Sequence, residues 1–172
     1  MIALTVPSTA ESHLFSVYSL IEQANASNIF INDLPMLAHF SHTIERAILE
    51  HEIDTTIYVS FQYLSRFARQ FARYQRIAST AQVYVFGVDD AQYPPLERLH
   101  YVSLRPGDRL AREWFLVVSH PQYSRALIAQ EVPGGRGTRR YRGVLTSDAA
   151  LCAAAADELS AYLSRFPARL RR

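Results

Sequence analysis

Four arginines, Arg66, Arg69, Arg73 and Arg76, recur every three or four residues, and no acid lies between residues 62 and 81. On a helix that spacing gathers the guanidinium groups on one side, opposite the apolar residues of the same stretch. Such a stripe could hold a carboxylate or phosphate through charge-assisted hydrogen bonds. A solvated helix face is the simpler account, because like charges at this spacing repel by roughly a few tenths of a kcal/mol per pair and water screens them. His39, His42 and Glu45 also fall within two turns of one helix, which would present three metal-ligating groups together. A fourth ligand and the HExxH pattern are both missing, so no metal is assigned.

Other chemistry finds less support. The stretch Pro133 to Gly143 combines glycines with Arg136, Arg139, Arg140 and Arg142. It lacks the GxxxxGK[ST] pattern of a phosphate-binding loop and joins two expected strands, so it reads as a hairpin tip. The basic tail with Arg165, Arg169, Arg171 and Arg172 reads as a solvated end. No GxSxG nucleophile elbow occurs, and Cys152 lies within an alanine run where a small buried residue is expected. The adjacent pairs Asp89-Asp90 and Asp157-Glu158 point apart on any regular element, so no acid–base pair and no catalytic residue is assigned. Trp114, Phe115, Tyr58, Tyr74, Tyr84 and Phe86 could line a pocket for a small aromatic ligand, although core packing explains the same residues more simply.

The elements that must position these groups follow from periodicity. A capping box of Ser8 and Glu11 opens a first helix, with Leu14, Val17, Tyr18 and Ile21 at helical spacing to about Gln23. Pro35 suits the first turn of a second helix, buried through Leu37, Phe40, Ile44, Ala47 and Ile48. Thr55 to Phe61 reads as a strand, followed by a long helix from about Tyr63 to Thr80 and a second strand at Gln82 to Gly87. Strand, helix, strand implies a right-handed parallel crossover. Apolar runs at Tyr101 to Leu104, Glu113 to Ser119, Ala126 to Val132 and Tyr141 to Thr146, separated by turn formers, predict an antiparallel meander. Asp148 or Ser147 caps a closing helix over about Ala149 to Arg165. The expected class is α/β: one mixed sheet with a parallel unit and then a meander, flanked by N-terminal helices and a C-terminal helix.

Composition sets the outer bounds. The 172 residues are 49% hydrophobic and 20% charged, which suits a single domain over 1–172 with its core at about 8–165. One cysteine excludes an internal disulfide, and no run approaches the about 18 apolar residues of a membrane helix, so a cytoplasmic protein with no membrane partner is expected. Net charge is only +2, but residues 1–60 hold seven of the 16 acids and one of the 18 basic residues. So small an excess argues against a dedicated duplex-DNA binder.

Against this pattern, Ile44-Glu45, Phe61-Gln62, Ser65-Arg66, Arg73-Tyr74, Val85-Phe86-Gly87, Glu113-Trp114-Phe115, Ala129-Gln130-Glu131 and Gly143-Val144-Leu145-Thr146 form an ordered set. The set resembles the DICT sensory domain, a module associated with bacterial diguanylate cyclases and two-component systems, over about Phe15 to Leu163. The resemblance implies a non-catalytic input that controls a diguanylate cyclase, a cyclic-di-GMP phosphodiesterase or a histidine kinase, in cis or in trans. It names no cofactor and no ligand. Gln62, Arg66, Arg73 and Tyr74 match the family pattern and, with Trp114, are the expected ligand-binding residues. Helix capping by Gln62 and Ser65, and pairing of Arg73 with Glu45, would explain the same residues structurally. A small molecule or partner is expected near the start of the long helix and the adjacent strand ends. Sensory modules often act as dimers, so a homodimer is included among the partners. Two other readings are an enzyme acting on an anionic metabolite and a single-stranded nucleic-acid binder using exposed aromatics and arginines.

Overall fold

The computed structural model describes residues 9–24, 28–133, 137 and 139–171. Ser8, the expected first cap, and Arg136 and Arg172 lie outside them. Among the described residues eight strands form one mixed sheet in the order β1-β7-β6-β5-β2-β3-β4-β8. These are β1 (Phe30–Asp33), β2 (Thr56–Tyr63), β3 (Gln82–Val88), β4 (Leu99–Leu104), β5 (Glu113–Val118), β6 (Arg125–Val132), β7 (Arg140–Thr146) and β8 (Leu170–Arg171). The strands β2, β3 and β4 run parallel and all other pairs are antiparallel.

The helices cover both faces of the sheet, which is why its central strands are apolar at nearly every position. One face carries α3 (Leu34–His51), a 3₁₀ turn (Leu64–Gln70) and α4 (Phe71–Ile77), packed on Ile57, Val59, Val83, Val85, Leu116 and Leu127. The other carries α1 (Thr9–Leu14), α2 (Ser19–Gln23) and α5 (Ala149–Arg165). There Val17, Ile21, Cys152, Ala155 and Leu159 meet Phe86, Val102, Phe115, Val117 and Ile128. Asp33 caps α3 by accepting from the Met36 amide at 3.2 Å, with Pro35 in the first turn, and Asp148 caps α5 by accepting from the Leu151 amide at 2.8 Å.

The mixed sheet, the parallel crossover and the meander of β5, β6 and β7 stand as expected, and four details differ. The run at Tyr101 belongs to β4, which pairs parallel to β3 on the far side of β2 instead of joining the meander. The tail expected to be a solvated end supplies β8, antiparallel to β4. The expected first helix is two helices, because Glu113 takes the amides of Val17 and Tyr18 at 3.1 and 3.2 Å, and amides so held are lost to helical pairing. The expected long helix opens as a 3₁₀ turn. Tyr93 donates its hydroxyl to the Leu64 carbonyl at 2.6 Å, and Asp90 accepts from both the amide and the hydroxyl of Ser65 at 2.7 and 2.6 Å. Contacts from the β3–β4 connection thus fix the first turn in its tighter form.

Between β2 and the 3₁₀ turn the chain bulges. Phe61 and Gln62 together stand opposite Gly87, between the pairs Ser60↔Phe86 and Tyr63↔Val88, and Gln62 adopts φ 59. Glycine is required at 87 because a Cβ there would lie 3.0 Å from the Leu64 amide nitrogen and 2.9 Å from its side chain. The ladder between β2 and β5 stops at Val59↔Leu116, and beyond it Ser60 Oγ accepts from the Phe115 amide at 3.0 Å and donates to the Glu113 carbonyl at 2.8 Å. A side chain replaces main-chain partners there, which keeps the buried polar groups satisfied.

Candidate functional site

The bulge, the 3₁₀ turn and α3 enclose a cavity of about 560 Å³. Its apolar wall is Leu34, Ala38, Val59, Phe61 and Trp114, and its polar wall includes Ser41, His42, Glu45, Arg66, Arg69 and Arg139. The volume lies within the usual range for small-molecule sites. Trp114 is held in place by donating its indole N–H to Ser41 at 3.1 Å and by an edge contact with Tyr141 at 5.9 Å.

The five expected ligand-binding residues take three different places. Trp114 and Arg66 line the cavity. Gln62 is buried beside it and lines a shallower cleft formed with Tyr63, Arg112, Glu131 and Arg139. Its carbonyl oxygen accepts from Arg66 Nη1 at 2.5 Å and from the Tyr141 hydroxyl at 3.2 Å, so it orients the arginine and does not cap a helix. Arg73 and Tyr74 stand behind the cavity and hold Glu45. Arg73 donates to Oε2 at 2.7 Å and Tyr74 to Oε1 at 2.6 Å, so both carboxylate oxygens are engaged. Burial, reinforced by the Glu45 charge, raises the Tyr74 hydroxyl well above its ordinary range and keeps it a donor.

Several sequence-level alternatives are corrected here. Glu45 turns to Arg73 and Tyr74, and among the described residues no group of three His, Cys, Asp or Glu comes together to hold a metal. The six aromatics do not line one pocket: Tyr58, Tyr84, Phe86 and Phe115 pack on the opposite face, and Tyr74 is fully buried. The arginine stripe divides as well, with Arg66 and Arg69 at the cavity, Arg73 on Glu45, and Arg76 in the last turn of α4, away from the cavity. Ser41 was not singled out from the sequence, and Phe61 entered only as part of the family pattern and not as a cavity residue. Ser41 could have been, because it is a polar residue in the buried row Leu37, Ser41, Ile44, Ile48.

A second polar centre lies directly through the sheet. Glu113, the residue before Trp114, is fully buried on the other face and accepts from Ser16 Oγ at 2.5 Å as well as from the Val17 and Tyr18 amides. Burial pushes its carboxyl up to about 7 from an ordinary 4.5, against the pull of Ser16, the two amides and Arg109. The linker between α1 and α2 is therefore fixed to the start of β5 by one carboxylate. At the entry to the 3₁₀ turn, burial opposes the Asp90 charge, but the Ser65 donors and Arg66 hold its carboxyl below the ordinary value.

The comparisons with known proteins accord with this architecture. The family model DICT, described as a sensory domain in diguanylate cyclases and two-component systems, matches residues 14–132, a span that includes every cavity residue named here except Arg139. A search of the curated proteins gives no match. Among solved structures, the chain is similar to TrmBL2, an archaeal chromatin protein with a novel mode of DNA binding, at 10% identity and a TM-score of 0.54. The match covers 87% of this chain and 58% of that one, and likeness at this identity is one of fold. Among the described residues no helix is long and apolar enough to cross a membrane.

Proposed function

Because the chain belongs to the DICT family, the sensory domains of diguanylate cyclases and two-component systems, we propose that the α3–β2–3₁₀ cavity is its sensory site and the N-terminal helices its readout. A small molecule enters against Trp114 and the cavity arginines and shifts the balance between two packings of α1 and α2. The output is a diguanylate cyclase, a phosphodiesterase or a histidine kinase, attached in cis or met in trans. The reading assigns the chain no catalysis of its own.

The observation that carries this reading is the pair Glu113–Trp114. Neighbours on a strand point to opposite faces, so Trp114 enters the cavity while Glu113 grips Ser16, Val17 and Tyr18 on the far side. Ser60, bonded to the Glu113 carbonyl and the Phe115 amide on either side of Trp114, ties the cavity end of β2 to the same stretch of β5. A displacement of the indole has a short, fully packed route to the linker.

Hydrogen exchange tests the proposal, with protein exposed to the deproteinised small-molecule extract of its expressing cells. Slowed exchange is expected in 38–45 and 59–70, together with an altered rate in 16–23. Protection of the cavity with no change in 16–23 would remove the readout, and no change in either would remove the site as well.

A further inference from the structure

Resting on the reading of the cavity as a ligand site, we infer that the ligand is a small organic acid with one carboxylate on a flat apolar body. The charge balance of the wall favours an anion. Among the described residues its only carboxylate, Glu45, is neutralised by Arg73 and has both oxygens occupied. Arg66, Arg69 and Arg139 remain: Arg66 lies in the field of Asp90 and over the Tyr63 ring, Glu131 stands 3.7 Å from Arg139 Nε, and Arg69 is the least compensated of the three. Arg69 makes no hydrogen bond or ion pair with the described residues. Arg66 spends one N–H on Gln62 and keeps the rest of its fork.

The 3₁₀ geometry adds the decisive placement. In a 3₁₀ turn residues i and i+3 eclipse, whereas in an α-helix they are offset, so Arg66 and Arg69 project from the same side of the turn. Two guanidinium groups in line match a carboxylate. Gln62 fixes one of them from a left-handed backbone at φ 59, a costly conformation for a residue with a side chain and one that recurs at ligand clamps. Opposite the arginines, Trp114, Phe61, Val59 and Leu34 offer an apolar surface for the body of the molecule.

The same site disfavours a phosphate chain. Amides at a helix start are the usual phosphate cradle, and here Asp90 already occupies that end of the 3₁₀ turn, accepting from Ser65. An anionic cap repels a second anion at the same end and leaves the side-chain forks of Arg66 and Arg69 as the anion donors.

Isothermal titration of the whole chain with 1-naphthylacetate, its neutral isostere 1-naphthylacetamide, and 1-naphthyl phosphate decides the matter. The acid should bind about tenfold or more tightly than the amide, as expected for charge-assisted hydrogen bonds. Arg69→Gln, at an exposed position with no partner to lose, should weaken the acid by a similar factor and leave the amide unchanged. Equal binding of acid and amide would overturn the anion assignment while leaving the cavity as a binding site. Tighter binding of the phosphate would overturn the carboxylate, and so would a failure of all three ligands to bind. In that last case a molecule retained in the cavity by the purified protein would separate a wrong ligand class from a wrong site.

Discussion

Replacing Gly143 with alanine is expected to destabilise the fold by about 3 kcal/mol or more, at or above the top of the usual range for overpacking a core. Gly143 lies in a row across the sheet, between Phe30 on β1 and Ala129 on β6, and Ala129 in turn faces Trp114 on β5. A Cβ at 143 would stand 2.2 Å from the Ile128 carbonyl oxygen and 2.6 Å from Ala129 Cα and Cβ. Two of those three atoms are main chain, so no rotamer change relieves the contact. The small pair Gly143–Ala129 lets Leu37 of α3 seat on the sheet beside Trp114. Urea unfolding monitored by Trp114, the only tryptophan in the chain, measures the effect, with Gly107→Ala as comparison because a Cβ added there meets nothing within 4 Å beyond its chain neighbours. Loss of soluble folded protein would fit the expectation equally, whereas a Gly143→Ala change within about 1 kcal/mol of wild type would refute it.

The part of the fold legible in the sequence is the part set by local pattern. The run Gln82–Gly87 and the β-branched run before Phe61 announce strands on their own, and the alanine-rich helix from 149 carries its cap at Asp148. The departures arise where a distant residue overrides local preference. The break after Leu14 depends on Glu113, separated by 97 positions from Ser16, and the 3₁₀ form of Leu64–Gln70 depends on Tyr93 and Asp90 from beyond β3. The pairing of β4 with β3 was hidden because its apolar run looks the same as those of the meander.

The site was half legible for the same reason. Arg66 and Trp114 matched a pattern, and Arg73 with Tyr74 matched it too. The pairing of Arg73 with Glu45 was legible, but that Tyr74 takes the other oxygen of the same carboxylate, and that of the four arginines only Arg66 and Arg69 reach the cavity, follows from the structure alone. Ser41 became meaningful when the indole of Trp114 was found on it.

The second large effect concerns pH. The folded-state carboxyl of Glu113 is raised by burial to about 7 against an ordinary 4.5, so between these values the folded chain holds a proton that the unfolded chain has released. Its contribution is therefore fully present below about pH 4.5 and is lost as pH rises through about 7. The total loss is about 3 kcal/mol. Glu113→Gln removes that slope. The difference in unfolding free energy between variant and wild type should move by this amount in the variant's favour from pH 4.5 to 7.5, with Asp90 and the histidines cancelling between the two proteins. Parallel curves would show that the Glu113 carboxyl binds protons alike in the folded and unfolded chains and would refute the upward shift.

The central claim is that the cavity beside Trp114 holds a small molecule. Native mass spectrometry of freshly purified protein tests it most directly, comparing wild type with Ala38→Trp, in which an indole added on α3 fills the cavity. The account predicts an adduct of defined small mass on the wild type that is absent from Ala38→Trp, with both proteins folded. An adduct retained equally by both, or no adduct on the wild type even after incubation with cell extract, would contradict it.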